Sequence, residues 1–267
     1  MISLYWIYEI PNWELFLLML GVFAFGSLGG LYLTRPLVRR MVNGSDKYND
    51  LTNYYFAAIG VLYGLSLGLI AVGTWENFSE VDAKVAMEAN SLGALYRDID
   101  GYPPELRQDA ENLLRDYATV VIEKEWPAHR EGNVLDAGEV ILDEFENKIM
   151  SFEPTREVEK IAHAEVIKSL SDLVGNRGFR VQSVNVALPG VLWGVVLVGA
   201  IINIGLTYCF WVDNLHLHSL LVVAFASMLA MLIFLTAAMD NPFRGQFSVS
   251  PDALQYVRDH VMTTAGK

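Results

Sequence analysis

Four stretches of the chain are written almost without charge. Residues 12–33 carry one charged side chain, Glu14; residues 54–75 and 188–212 carry none; residues 217–239 hold only His218. Each is close to the length of about 20 residues that crosses a bilayer as an α-helix, and uncharged runs of that length are rare in soluble cores. Trp13, Tyr54, Tyr55, Trp75, Trp193 and Trp211 stand at or near the run ends, where interfacial aromatic belts form. The first run is too long, and too poor in preceding basic residues, for a cleaved signal peptide. The pattern predicts an all-α integral membrane protein. Four transmembrane helices carry a helical extramembrane domain inserted between the second and the third. The expected pieces are 1–75 (membrane helices one and two), 76–187 (the acidic insert), 188–239 (helices three and four) and 240–267 (a docking segment with a short helix).

The insert changes period. Val81, Val85, Leu92, Leu95 and Ile99, with Glu88 in the same stripe, recur at alternating steps of four and three, the seam of a helix bundle. The stripe runs back through Phe78 to Thr74, so the second membrane helix is expected to continue straight into the insert until Gly101-Tyr102-Pro103-Pro104 ends it. Leu106, Ala110, Leu113, Tyr117 and Val120 predict a second helix, stopped by Pro127 just after Glu125-Trp126. Weaker helices are expected over 137–150 and 155–174, with Gly175-Asn176-Arg177-Gly178 breaking the pattern before the membrane is re-entered near Pro189. Beyond the fourth run, Asp240-Asn241-Pro242 predicts a helix stop and Gly245 a turn. Ser250-Pro251-Asp252 predicts a new start. Leu254, Val257 and Val261 give that last helix an apolar face, so the tail is expected to fold back onto the insert with Arg244 as its anchor.

Charge adds function classes to exclude. The 267 residues carry a net charge of −12, and the insert alone holds 23 acidic and 12 basic residues. Such a chain lacks the basic footprint of a nucleic-acid binder. The loop after the first run carries Arg35, Arg39, Arg40 and Lys47, whereas the residues before that run carry no basic side chain. The positive-inside rule then puts the loop in the cytoplasm and the insert on the extracytoplasmic side of the plasma (inner) membrane. Cys209 is the single cysteine, so no disulfide can form within the chain. His163 and Glu165 form H-x-E with no C-x-x-C after it, and no H-E-x-x-H, Walker loop or G-x-S-x-G occurs. No enzyme, metal site or cofactor is expected.

The candidate functional residues are few. Gly60, Gly64 and Gly68, flanked by Ala57 and Ala71, put small residues on one face of the second membrane helix, which lets two helix backbones approach closely. That face either packs inside one bundle or lies near the axis of a symmetric oligomer, where an apolar neck can gate ions. Ser66, Trp75 and Glu76 join the glycines as pore-lining or axis candidates. Asn203 and Thr207 are polar within the third run and need partners in hydrocarbon or line a wet cavity. Glu88 sits at a seam position and needs a buried cation; Arg97, Arg177 and Arg180 are available, and a proton or ion site is the other reading.

Five stretches occur in a recognisable order: VGTWENF after the second run, EANSLGALYRDIDGYP, EWPAHREG, LPGVLW entering the third run, and NPFRGQFSVSPDAL after the fourth. Together they resemble the bacterial bestrophin-like domain family, a domain of unknown function that is distantly similar to the bestrophins. The resemblance implies four membrane helices and a helical domain between the second and third, as in those pentameric anion channels. It also implies a homo-oligomer in a lipid bilayer, a pentamer by analogy, with inorganic ions as possible partners and the insert on the cytoplasmic side, opposite to the loop charges. No bestrophin filter motif is matched residue by residue. An insert as acidic as this would repel anions if it lined the pathway and suits cations better. The expected function is a bestrophin-like homo-oligomeric channel or channel-like protein. The alternative is a membrane-anchored interaction or envelope-stress scaffold with no ion conduction.

Overall fold

The computed structural model describes residues 4–42 and 48–263, and Lys47 lies outside them. Every regular element among these residues is helical: α1 (Asn12–Val42), α2 (Tyr48–Asp98), α3 (Pro104–Val120), α4 (Trp126–Glu131), α5 (Ala137–Met150), α6 (Glu157–Ser183), α7 (Gly190–Tyr208), α8 (Leu215–Met239) and α9 (Asp252–Tyr256). Four of them, α1, α2, α7 and α8, are long and apolar enough to cross a membrane. The chain divides into two compact units. The first comprises the described residues of 1–76 with 187–240 and 245–247; the second comprises 77–186, 241–244 and the described residues from 248 onward.

In the first unit α1 packs chiefly on α8, with Leu15, Leu31, Ala226 and Ile233 buried and Phe16 meeting Phe234 edge-on at 5.2 Å. α1 continues past its apolar run, through Pro36, to Val42. Two glycines make room for aromatic rings: the Tyr208 ring lies where a Cβ at Gly30 would stand, and the Tyr63 ring does the same at Gly199. The Tyr63 hydroxyl then donates to the Val196 carbonyl at 2.8 Å. Gly26, Gly190 and Gly194 have no such neighbour. At the start of α7, Asp240 accepts from the Leu188 N–H at 2.5 Å and the Trp193 indole at 3.1 Å, so the residue that follows α8 also places a carboxylate at the positive end of α7.

In the second unit the expected seam is the core. Val81, Val85, Glu88, Leu92, Leu95 and Ile99 are all buried, and α2 runs unbroken through Thr74 and Phe78 to reach them. Burying each leucine contributes about 1.5–3 kcal/mol. On α3 the buried face is Ala110, Leu114, Tyr117 and Ala118, while Leu106 and Leu113 pack only at its edge. That is a small rotation from the predicted stripe.

Two predicted breaks are absent. Pro127 does not stop the second insert helix. Proline clashes with the carbonyl four residues back and has no N–H to bond it. Here the helix widens into a π turn over Val121–Glu125, where the Trp126 N–H reaches the Val121 carbonyl, five residues back. Helical geometry then resumes in α4 and ends at Gly132, whose φ of 83° is left-handed. Nor do Gly175 and Gly178 interrupt α6, which continues to Ser183. The burial of Arg177 and Arg180 on its inner face outweighs the roughly 1 kcal/mol per glycine that propensity costs. The tail packs on the second unit's core as expected: α8 stops before Pro242, Phe243, Leu254 and Val257 are buried there and Val261 is partly buried. The last helix begins one residue later than expected, at Asp252, with Pro251 rather than Ser250 at its N-cap.

Gly132 needs its φ, and a Cβ there would collide with the Arg244 guanidinium, which donates to the Glu131 carbonyl at 2.9 Å. Gly132→Ala is expected to destabilise the second unit by about 1–2 kcal/mol, read as a lowered thermal midpoint of the purified protein.

Candidate functional site

Inside the second unit, side chains from α2, α3, α6 and the π turn converge on one buried charge network. Arg180 has no exposed surface and grips Glu88 with two donors, Nε to Oε2 at 2.7 Å and Nη2 to Oε1 at 3.0 Å. The same Nη2 reaches Glu125 Oε2 at 3.1 Å. Arg177, one helical turn away, holds Glu125 with Nη1 at 2.7 Å and Nη2 at 3.0 Å. The Tyr117 hydroxyl donates to Glu88 at 2.6 Å, and the Gly138 N–H donates to Glu125 at 2.8 Å. A Cβ at Gly138 would lie 2.8 Å from Glu125 Oε1 and 3.1 Å from Arg177 Nη1, so only glycine lets α5 come this close. Two carboxylates and two guanidiniums leave the network neutral, as burial requires.

His129 completes it. Arg180 Nη1 donates to His129 Nδ1 at 3.3 Å, which leaves the imidazole proton on Nε2, a buried atom with no partner. The ring lies between Trp126 and Phe243, with centroids at 6.2 and 5.5 Å. Burial, reinforced by the Arg180 charge, pushes the imidazole down to about 4. Burial alone would raise the Glu125 carboxyl, but hydrogen bonds and charge from Arg177 and Arg180 and the Gly138 N–H hold it below its usual value. Burial and the neighbouring Glu88 carboxylate push the Tyr117 phenol well up.

Glu88 thus finds the buried arginine that its seam position demanded, and Arg177 joins through Glu125. Arg97 stays out, exposed and bonded to the Gly93 carbonyl of its own helix at 3.1 Å. Arg244 donates to the Glu131 carbonyl at 2.9 Å. Sequence reasoning missed Glu125, Tyr117, His129 and Gly138 as network members. The signal for Glu125 was a proline two residues after it in a helical run, which demands a local widening and rotates the preceding side chains.

In the first unit the helix-two candidates divide. Tyr63, Leu67 and Thr74 form the buried face of α2. Gly60, Gly64 and Gly68 lie on the adjacent face, with Trp75 in line, and no atom stands within 4 Å of where a Cβ would be at Gly64 or Gly68. Ser66 is exposed, bonds back to the Leu62 carbonyl at 2.8 Å and lies about 160° round the helix from the glycines. Glu76 is also exposed and off that face. Asn203 is buried; its Nδ2 donates to the Gly199 carbonyl at 2.9 Å, and its Oδ1 has no partner. That oxygen would sit 3.7 Å from a Cβ at Gly60, so the glycine face carries a desolvated acceptor beside it. Thr207 is buried with its hydroxyl on the Ile204 carbonyl at 2.6 Å, and its own carbonyl accepts from His218 Nε2 at 3.1 Å. Among the described residues no group of three or more His, Cys, Asp or Glu side chains is placed to hold a metal ion.

Comparison with known proteins gives a single direction. The profile of the bestrophin-like domain matches residues 2–254. Among solved structures, a substituted bacterial bestrophin homologue from Klebsiella pneumoniae is similar with a TM-score of 0.67 at 12% identity, covering 93% of this chain and 99% of that one. A second variant from the same organism gives 0.64 at 13%, over 90% and 99%. A structure described only as a membrane protein gives 0.65 at 14%, over 94% and 97%. No curated protein sequence matches the chain.

Removing one partner from a buried ion pair strands the other, at a cost of about 3–5 kcal/mol. Arg180→Met is expected to cost that much in chemical denaturation, with Glu88→Gln costing less because the amide still accepts from Arg180. Protonation gives an independent check. The unfolded chain takes up a proton at position 129 near its ordinary 6.5, whereas the folded chain resists until about 4. The unfolded state therefore binds more protons in that window, and stability falls as pH drops through it. The thermal midpoint of His129→Gln should change less between pH 6.5 and 4 than that of the parent protein.

Proposed function

The chain belongs to the bestrophin-like domain family, and on that footing we propose that it is a homo-oligomeric, channel-like protein of the inner membrane. In this reading α1, α2, α7 and α8 cross the bilayer, the second unit lies outside it, and the Gly60–Gly64–Gly68 face of α2 turns toward the assembly axis. The observation that carries it is the division of labour on α2. Its apolar stretch has only 11% of its residues buried within the chain, against 39% for α8, and the glycine face is among the parts left open. In lipid, close helix approach along small residues supplies the packing that hydrophobic burial supplies in water. A face built for close approach and left uncovered by its own chain supports a partner helix, for which a second copy is the economical choice.

The axis candidates on this reading are Gly60, Gly64, Gly68 and Trp75, with the Asn203 acceptor behind Gly60. Ser66 and Glu76 lie off this face, Ser66 on nearly the opposite side of the helix. The buried network is neutral, so the insert's excess of acidic over basic side chains lies outside it. That field favours cations along any pathway it borders. The same acidic surface favours the second reading, a membrane-anchored scaffold that docks a basic partner and conducts nothing.

Conduction separates the two. Purified protein of verified oligomeric mass, fused into planar bilayers under a potassium chloride gradient, is expected to give a current whose reversal potential lies on the cation side. Gly64→Leu is expected to remove most of that current or to disperse the oligomer. A silent bilayer with assembled protein favours the scaffold.

A further inference from the structure

A basic cleft at the far end of α1 has no place in the ion pathway just proposed. Tyr32, Arg35, Pro36, Arg39 and Arg40 of α1 line it together with Trp211, and it encloses about 720 Å³, within the range of about 300–1,000 Å³ typical of small-molecule sites. Its wall is fixed. The Trp211 N–H donates to Asn49 Oδ1 at 2.9 Å, the Trp211 carbonyl accepts from Asn49 Nδ2 at 2.8 Å, and the indole donates to Asp213 Oδ1 at 3.0 Å. Arg35 lies 5.0 Å from the centre of the Trp211 ring and donates through Nη2 to the Val212 carbonyl at 3.0 Å. That holds its guanidinium plane in place and leaves Nη1, a buried donor, without a partner. Arg39 and Arg40 are exposed, with no ion pair among the described residues. The acidic side chain of Asp213 is turned to the indole instead.

We propose that this cleft binds the phosphate of an anionic phospholipid headgroup. A desolvated guanidinium donor is costly unless it meets an acceptor. Three guanidiniums around one aromatic wall match the bidentate donor pattern that phosphate oxygens take. Position selects lipid over a free anion. The uncharged run of α1 ends at Leu33, so Arg35 to Arg40 stand within about two turns beyond the hydrocarbon stretch, with Tyr32 and Trp211 at the depth of an aromatic belt. Basic pockets at that depth recognise anionic headgroups.

Native mass spectrometry of the full chain in detergent, titrated with phosphatidylglycerol or phosphatidylcholine of the same acyl chains, tests this. Three arginines give an expected preference of roughly a hundredfold for the anionic lipid, and the Arg39→Gln, Arg40→Gln double variant is expected to reduce it to roughly fivefold. Both substituted side chains are exposed, so the fold should be retained, as an unchanged thermal midpoint would verify. Arg35→Gln should reduce the preference as well. Equal retention of the two lipids by the parent protein, or an undiminished preference in the double variant, would overturn the proposal. Full displacement of phosphatidylglycerol by millimolar inorganic phosphate would also overturn it, by identifying a free anion as the ligand.

Discussion

The second unit depends on one requirement: Glu88, Glu125, Arg177 and Arg180 are buried together, and each must be fully paired. An ion in a dry interior loses several kcal/mol of hydration, and only close, multiply bonded partners offset that. The geometry of that pairing explains departures that local propensity does not. α6 remains helical through two glycines because Arg177 and Arg180 must stand one turn apart on its inner face. The π turn before Pro127 delivers Glu125 between both guanidiniums, and Gly138 is small because α5 closes over the same carboxylate. His129 stays neutral because burial disfavours its charged form and a third cation beside Arg180 and Arg177 would break the charge balance.

The membrane helices answer a different constraint. In hydrocarbon, apolar side chains gain little by touching one another, so close packing and satisfied polar atoms decide contacts. Tyr63 against Gly199 and Tyr208 against Gly30 use a ring in a glycine notch, and the Tyr63 hydroxyl is satisfied by a helix carbonyl. Three glycines on α2 receive no such ring, and beside the first of them Asn203 holds an unmet acceptor. Within one chain the packing of α2 is therefore unfinished on that side.

Much of this was legible in the sequence. Uncharged runs marked the four long helices because length and apolarity leave few other outcomes. The three-four spacing through Glu88 identified both the seam and the need for a buried arginine. Less legible was anything set by tertiary contact. Pro127 and Gly175 read as breaks because propensity is local, while the ion network that overrides it joins residues up to 92 positions apart. Nor did the loop arginines have a single meaning. Arg35, counted as an orientation signal, is also held by Trp211 and the Val212 carbonyl, so a structural role accounts for it whichever side of the membrane it faces. That weakens the charge argument that set the insert opposite to the side implied by the bestrophin resemblance.

On the reading proposed above, other copies of the chain cover the glycine face of α2. Oxidative crosslinking in native membranes addresses it, using Gly64→Cys and Ser66→Cys in a Cys209→Ser background. Covalent dimers are expected with the cysteine at 64 and little or none at 66, on the far side of the same helix. Equal crosslinking at both positions, or none at 64 in protein of verified oligomeric mass, would contradict it.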